Sequence, residues 1–284
     1  MRENPKSSAN AVSTANTPNV KDINQIRDGL KLKLAGLWDT DAKGNIIPNK
    51  LEQNKDSKMC YFLSVLHAIK ISPKAAEILG RIVRRISDGK YGVKFPNNKE
   101  IIITEEEIKE MTHDDPGRRY HMGTTLGDRI IERAFRRLIS ISRDGQTGLD
   151  LDLWKAKKHN YKPGLTIPLK DYDWGTQREA VKIILGKNSK SYSFGDPKSP
   201  RYLADQLGAE DFDEKTKIWI KAIKGKIIIT AGDWGHAYTI GNIDIVKKTI
   251  EVIDPYDTGK TEVKTFQEFF RQFRYIMFTE LPKA

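Results

Sequence analysis

The sequence predicts an α+β protein, with helices gathered in its N-terminal half and strands in its C-terminal half. Two patterns predict this. Apolar residues recur at spacings of three and four after Cys60 and again between Thr125 and Ile141, whereas beyond Lys215 they form short β-branched runs separated by turn residues. The third observation is size: 284 residues, 38% hydrophobic and 31% charged, are enough to bury a substantial core and place the chain among globular proteins.

Taken in order, residues 1–22 hold Asn, Ser, Thr, Ala and Pro with almost no large apolar side chains. Burial there cannot offset the entropy of ordering, so this stretch reads as a disordered leader or linker. Globular patterning starts at Ile23 and runs to the end, with no internal repeat. Phe62, Leu63, Val65, Leu66 and Ile69 predict a helix from Cys60 onward. Pro73 opens a second helix, with Ala76, Ile78, Leu79, Ile82 and Val83 as its apolar face. Ile101 to Thr104 reads as a short strand entering an acidic helix start. Thr125 to Ile141 reads as a helix with Ile130, Ile131, Ala134, Phe135 and Leu138 inward. Pro163 to Pro168 is a loop, and Glu179 to Leu185 a short helix closed by Gly186. Three strands follow, Ile227 to Thr230, His236 to Ile245 and Thr249 to Ile253, the last two joined by a turn over Ile245 to Lys248. The stretches 85–125 and 186–215 show the least pattern.

Several function classes are disfavoured by composition. The net charge is +11, but the densest basic groups, Arg81, Arg84 and Arg85 and then Arg133, Arg136 and Arg137, fall at helical spacing. They read as solvated helix faces, so nucleic acid is not the expected partner. No apolar run of about eighteen residues predicts a membrane span. The N-terminus lacks a secretory apolar stretch, so the expectation is a cytoplasmic protein or one exported without a readable signal. A single cysteine allows no internal disulfide. His113, Asp114, Asp115 and His121 match no zinc spacing, and no EF-hand loop is present. No metal site is therefore predicted and no cofactor is required. Trp154, Trp174 and Trp219 read as core or lobe-interface residues.

Three segments could carry chemistry. Cys60 stands where a polar loop gives way to an amphipathic helix, and the positive end of a helix dipole favours thiolate. The alternative is a small buried hydrophobe opening a core helix. His236 opens a strand beside Gly235, which leaves room for a ligand backbone, although a lone strand histidine is commonly structural. Asp254 ends the antiparallel partner strand, where Pro255 stops pairing. It can accept the imidazole Nδ1 proton and hold Nε2 towards the thiol, or serve only as a turn residue.

A thiol on an early helix, with histidine and its orienter on a late hairpin, resembles the papain-like arrangement, and specifically the calpain-type cysteine peptidases. Cys60-Tyr61-Phe62-Leu63-Ser64 is similar to that family's Cys-aromatic-Phe-Leu motif, and Gly235-His236-Ala237-Tyr238 to its Gly-His-Ala-Tyr motif. Asp254-Pro255-Tyr256 resembles the Asn-Pro-Trp block. Two weaker matches lie between, at Ile131 to Phe135 and Glu179 to Gly186. The resemblance implies a two-lobed fold with the active site between a helical lobe of about residues 23–165 and a β-rich lobe of about 166–284. It implies peptide-bond hydrolysis by Cys60, His236 and Asp254 on a protein or peptide substrate. Where the family carries an oxyanion-donating glutamine stands Asn54, with Gln53 beside it, so either is the candidate donor. The family's Gly-Asp pair before the cysteine is replaced by Lys58-Met59. Trp234 is expected to roof the cleft. Calcium, which such enzymes often need, has no readable motif here. Aspartate in place of asparagine at position 254 also occurs in transglutaminases, so acyl transfer or deamidation is an alternative. A non-catalytic binding module of the same fold is another. The polar leader suits a bacterial effector.

Overall fold

The computed structural model describes residues 29, 34–48, 51, 59–113, 123–143, 176–193, 224–233 and 235–282. The expected leader, the loop at 163–168 and the expected lobe boundary near 165 lie outside them.

The chain is a mixed helix and sheet protein of the α+β class. Helix α1, Cys60–Lys70, is buried on every side, consistent with apolar residues all around its circumference. Helix α2, Ala75–Ile82, follows a turn containing Pro73. Strands β1 (Val83–Ser87), β2 (Lys90–Val93) and β3 (Ile101–Thr104) form a three-stranded antiparallel sheet in that order. Helix α3, Glu105–His113, begins with three glutamates, which suit the positive end of its dipole. Helix α4, Leu126–Arg143, buries the expected Ile130, Ile131, Ala134, Phe135 and Leu138.

The expected strand at Ile101 to Thr104 is present as β3, but its partners β1 and β2 add strand to a half expected to be mainly helical. Val83, placed on the second helix by its apolar spacing, instead starts β1, and Arg84 and Arg85 lie on that strand rather than on a helix face. The i, i+3 and i, i+4 spacing of Arg81, Arg84 and Arg85 mimics a helical stripe. The pairing of β1 with β2 overrides it, and Arg84 forms a paired bond to Glu100 at 2.6 and 2.7 Å. Arg136 is also not a solvated residue. It is 2% exposed and bonds Glu132 one turn earlier on α4.

Helix α5, Gln177–Leu185, and strand β4, Lys190–Ser193, precede the larger sheet. Its other members are β5 (Ile227–Gly232), β6 (Ala237–Asp244), β7 (Thr249–Ile253), β8 (Thr261–Thr265) and β9 (Tyr275–Glu280), with helix α6 (Phe266–Gln272) between the last two. The order is β4-β9-β5-β6-β7-β8, antiparallel at each pairing. Side chains alternate across the sheet. Ile228, Ala237 and Met277 join the core around α1, α4 and α5. Ile227, Ile229, Ala231, Ile250 and Val252 join a second core covered by Phe266, Phe269 and Phe270 of α6. Helix α1 packs on β5 and β6, which sets its N-terminus beside the β5–β6 turn. Among the described residues, no helix is long and apolar enough to cross a membrane.

Candidate active site

Met59 occupies the N-cap of α1 with no side-chain cap bond, and no acidic residue lies in the first turn. By contrast, α5 and α6 both start with complete capping boxes, Thr176 with Glu179 and Thr265 with Glu268. The N–H groups of Phe62 and Leu63 both turn back to the Met59 carbonyl at 3.0 Å, and Cys60 is the first residue of the helix so begun. Cys60 itself is 6% exposed.

The β5–β6 turn carries the histidine. Asp233 N–H donates to the His236 carbonyl at 3.1 Å and closes it. The Asp233 Oδ1 accepts from the backbone N–H of Gly235 at 3.3 Å and of His236 at 3.1 Å. Its Oδ2 accepts from the Tyr238 hydroxyl at 3.2 Å, so one carboxylate fixes both the turn and the next strand. Gly235 is exposed, and a Cβ built there would meet nothing within 4 Å.

His236 reaches both expected neighbours. Its Nε2–H donates to Asp254 Oδ1 at 2.7 Å, and Cys60 lies close enough to act on the charge of the ring. This corrects the expected ring orientation. Nε2, not Nδ1, faces the carboxylate, which leaves Nδ1 for the thiol. The reason lies in register: Thr239 pairs with Ile253, so Asp254 sits beyond the ladder, where the outer ring nitrogen reaches it. Asp254 Oδ1 also accepts from Tyr256 N–H at 2.8 Å, which orients the carboxylate. Tyr256 stacks on the imidazole with centroids 4.6 Å apart and planes 13° apart, and Tyr238 meets it edge-on at 4.6 Å and 84°.

Burial acts on His236 to disfavour its charge, but the bond to Asp254 and the neighbouring Cys60 outweigh it and raise the imidazolium to about 9. Burial pushes Asp254 upward, but the bonds from His236 and Tyr256 hold it below the usual carboxylate value of 3.8. Tyr275 is pushed up to about 12, by burial first and then by Cys60 and Asp233. Burial first, then Cys60 and Asp254, also raise Tyr256. Both phenols thus stay neutral around the pair.

Cys60, His236 and Asp254, expected together from the sequence, are brought together. Gln53, Asn54 and Trp234 lie outside the described residues, as do Asp114, Asp115 and His121 and the tryptophans at 154, 174 and 219. Among the described residues no cluster of His, Cys, Asp or Glu could hold a metal ion. Sequence reasoning gave no role to Asp233, Tyr238, Tyr256, Tyr275 or Gln177. The first three stand inside motifs that could have flagged them. Tyr275 and Gln177 come from distant strands and helices and have no local signal. No protein-family model matches this sequence, and no curated protein matches it.

Proposed function

We propose that this protein is a papain-like thiol hydrolase of the calpain type, a cysteine endopeptidase in which Cys60 is the nucleophile. The supporting observation is His236 bonded to the Asp254 carboxylate through Nε2, with Cys60 near enough to help raise the imidazolium to about 9. The packing of α1 against β5 and β6 supports the two-lobed arrangement, with the cleft between a helical lobe and a β-rich lobe.

The Cys60 sulfur attacks the scissile carbonyl carbon and forms an S–C bond as the carbonyl electron pair moves to oxygen. His236 gives its Nδ1 proton to the leaving amine as the C–N bond breaks, which leaves a thioester. Neutral His236 then takes a proton from water, whose oxygen attacks the thioester and frees the thiolate. Asp254 holds the ring in one orientation and balances its charge throughout. The Cys60 backbone N–H donates to the oxyanion, with Gln53 or Asn54 as the side-chain donor, each such donor contributing roughly 3 kcal/mol to barrier lowering. Gly235, exposed beside His236, leaves room for the backbone of a protein or peptide substrate, and Trp234 is the candidate to cover it by its place in the sequence. No cofactor enters these steps.

Hydrolysis of casein or a peptide pool by wild type and Cys60→Ala tests the assignment. Turnover is expected only from wild type, and equal turnover by both would remove Cys60 as the nucleophile. One observation favours a second reading. Asp254 supplies a carboxylate where the resembling peptidases carry an amide, which suits acyl transfer or deamidation. Mass spectrometry of treated proteins separates the two: cleavage creates new termini, whereas deamidation adds about one dalton without them. The nearness of Cys60 to His236, which helps raise the imidazolium, supports either enzyme over a binding module in which the thiol stands apart from the histidine.

A further inference from the structure

We propose that Gln177 is a positioning residue, a buried polar strut that sets the helix carrying Cys60 against the two strands flanking His236. This rests on the reading of Cys60 and His236 as the reacting pair.

Gln177 is the first residue of α5 and is 2% exposed. Its Nε2 donates to Ser64 Oγ at 3.1 Å and to the Ala231 carbonyl at 3.1 Å, with the Tyr238 carbonyl at 3.5 Å. These acceptors belong to three elements of the site. Ser64 lies one turn beyond Cys60 on α1, Ala231 is the last but one residue of β5 and Tyr238 the second of β6. Ala231 and Tyr238 are ladder partners just inside the hairpin turn that carries Asp233 and His236. Ser64 is held further, because its carbonyl accepts from Thr239 Oγ1 at 2.8 Å and its own hydroxyl donates to the Tyr61 carbonyl at 3.2 Å.

The strut has a fixed base. Thr176 and Glu179 form a capping box at the start of α5, and Gly186 closes the helix in the left-handed conformation at φ 62°. Gln177 therefore projects from a helix end that is itself immobilised.

The amide is not explained by stability alone. Gln177 Oε1 is buried with no hydrogen-bond partner, a costly arrangement that methionine of similar volume would avoid. What glutamine supplies and methionine cannot is a pair of directed N–H donors. Apolar packing between α1 and the sheet tolerates small sliding; hydrogen bonds of defined angle do not. Cys60 and His236 sit on different elements, so sliding between those elements changes their separation directly.

The test is iodoacetamide alkylation of Cys60 in the full chain, with thermal unfolding recorded in parallel. Wild type, His236→Ala, Gln177→Met and Ser64→Ala are compared from pH 6.5, the ordinary imidazole value, upward. Gln177→Met is expected to stay folded and to react about tenfold more slowly at the lowest pH, since ångström-scale misplacement costs up to about 10²-fold. Its pH profile should move towards that of His236→Ala. A residue of merely structural importance would lower the unfolding temperature but leave rate and profile unchanged. That outcome, with His236→Ala slow, overturns the role of Gln177 alone. His236→Ala reacting as fast as wild type overturns the reacting pair, and this proposal with it. Should Gln177→Met fail to fold, Ser64→Ala removes only the hydroxyl on α1. A severalfold slower reaction then supports the strut, and a wild-type rate overturns it.

Discussion

At His236, burial and hydrogen bonding act in opposite directions, and hydrogen bonding prevails, with a folded value of about 9 against an ordinary 6.5. The sign of the stability effect follows. A group raised on folding stabilises the native state fully below 6.5 and loses that contribution as pH rises through about 9. Asp254 is the opposite case. Held below 3.8, it contributes above that value and loses its contribution as pH falls through its folded value. The two together contribute most between about 3.8 and 6.5. His236→Ala should therefore flatten the fall in unfolding temperature seen between pH 6.5 and 9 in wild type. Asp254→Asn keeps an oxygen able to accept from Nε2–H but removes the carboxylate charge that helps raise the imidazolium. The alkaline limb of kcat/KM should then move to lower pH, with activity at its plateau reduced roughly tenfold. An unshifted limb in Asp254→Asn would mean that Cys60 alone maintains the charge on His236.

Elements differ in how openly the sequence announces them, and the reasons are physical. Helix α1 was legible because Phe62, Leu63, Val65, Leu66 and Ile69 keep a helical period, and β5 because Ile227 to Thr230 is an unbroken β-branched run. The hairpin bringing Asp254 to His236 was legible because β6 and β7 are adjacent in the chain and joined by a short turn. Strand β1 was not, since its arginines carry a helical spacing and its partner β2 has few β-forming residues. Helix α6 was overlooked in a strand-rich region, although Thr265 and Glu268 at capping-box spacing signal its start. Contacts between distant strands were the least readable. Gly232 pairs with Tyr275 of β9, and the tyrosine ring lies across the glycine. A Cβ at Gly232 would stand 2.1 Å from the Tyr275 hydroxyl and 2.2 Å from the ring carbon bearing it. Gly232→Ala is thus expected to destabilise by about 1–3 kcal/mol, read as a lower urea midpoint. Tyr275→Phe should not relieve it, because the ring carbon still clashes, whereas Tyr275→Ala should. Equal stability of Gly232→Ala and wild type would show that the ring moves aside at little cost.

For the whole molecule, α1 is the element on which everything converges. Cys60 at its start meets the hairpin, and Lys70 at its end, about 15 Å further along, meets the rest of the helical core. Lys70 Nζ binds Asp128 Oδ2 of α4 at 2.6 Å, with both side chains fully buried. Trp38 Nε1 donates to the other oxygen of Asp128 at 3.0 Å, and the Leu37 carbonyl accepts from Gly127 N–H at 2.8 Å. One ion pair therefore joins α1, α4 and the segment around residues 34–38. His67 lies beside it, and burial, reinforced by the charge of Lys70, holds its imidazole down at about 4, so it stays neutral and adds no second cation. Such a pair costs desolvation energy and is not evidence of stability by itself, but breaking it from one side is costly. Lys70→Met leaves Asp128 charged and uncompensated in the core and should cost about 3–5 kcal/mol, a large share of the roughly 5–15 kcal/mol that holds a domain folded. Lys70→Met with Asp128→Leu removes both charges and should recover much of that loss. Recovery should stop short of wild type, because Trp38 Nε1 is then a buried donor without an acceptor, worth about 1–3 kcal/mol. Guanidinium unfolding of the two single variants and the double variant reads this directly. Single losses that simply add in the double variant would mean that Lys70 and Asp128 do not act as a pair, and that α1 is held at its far end by apolar packing alone.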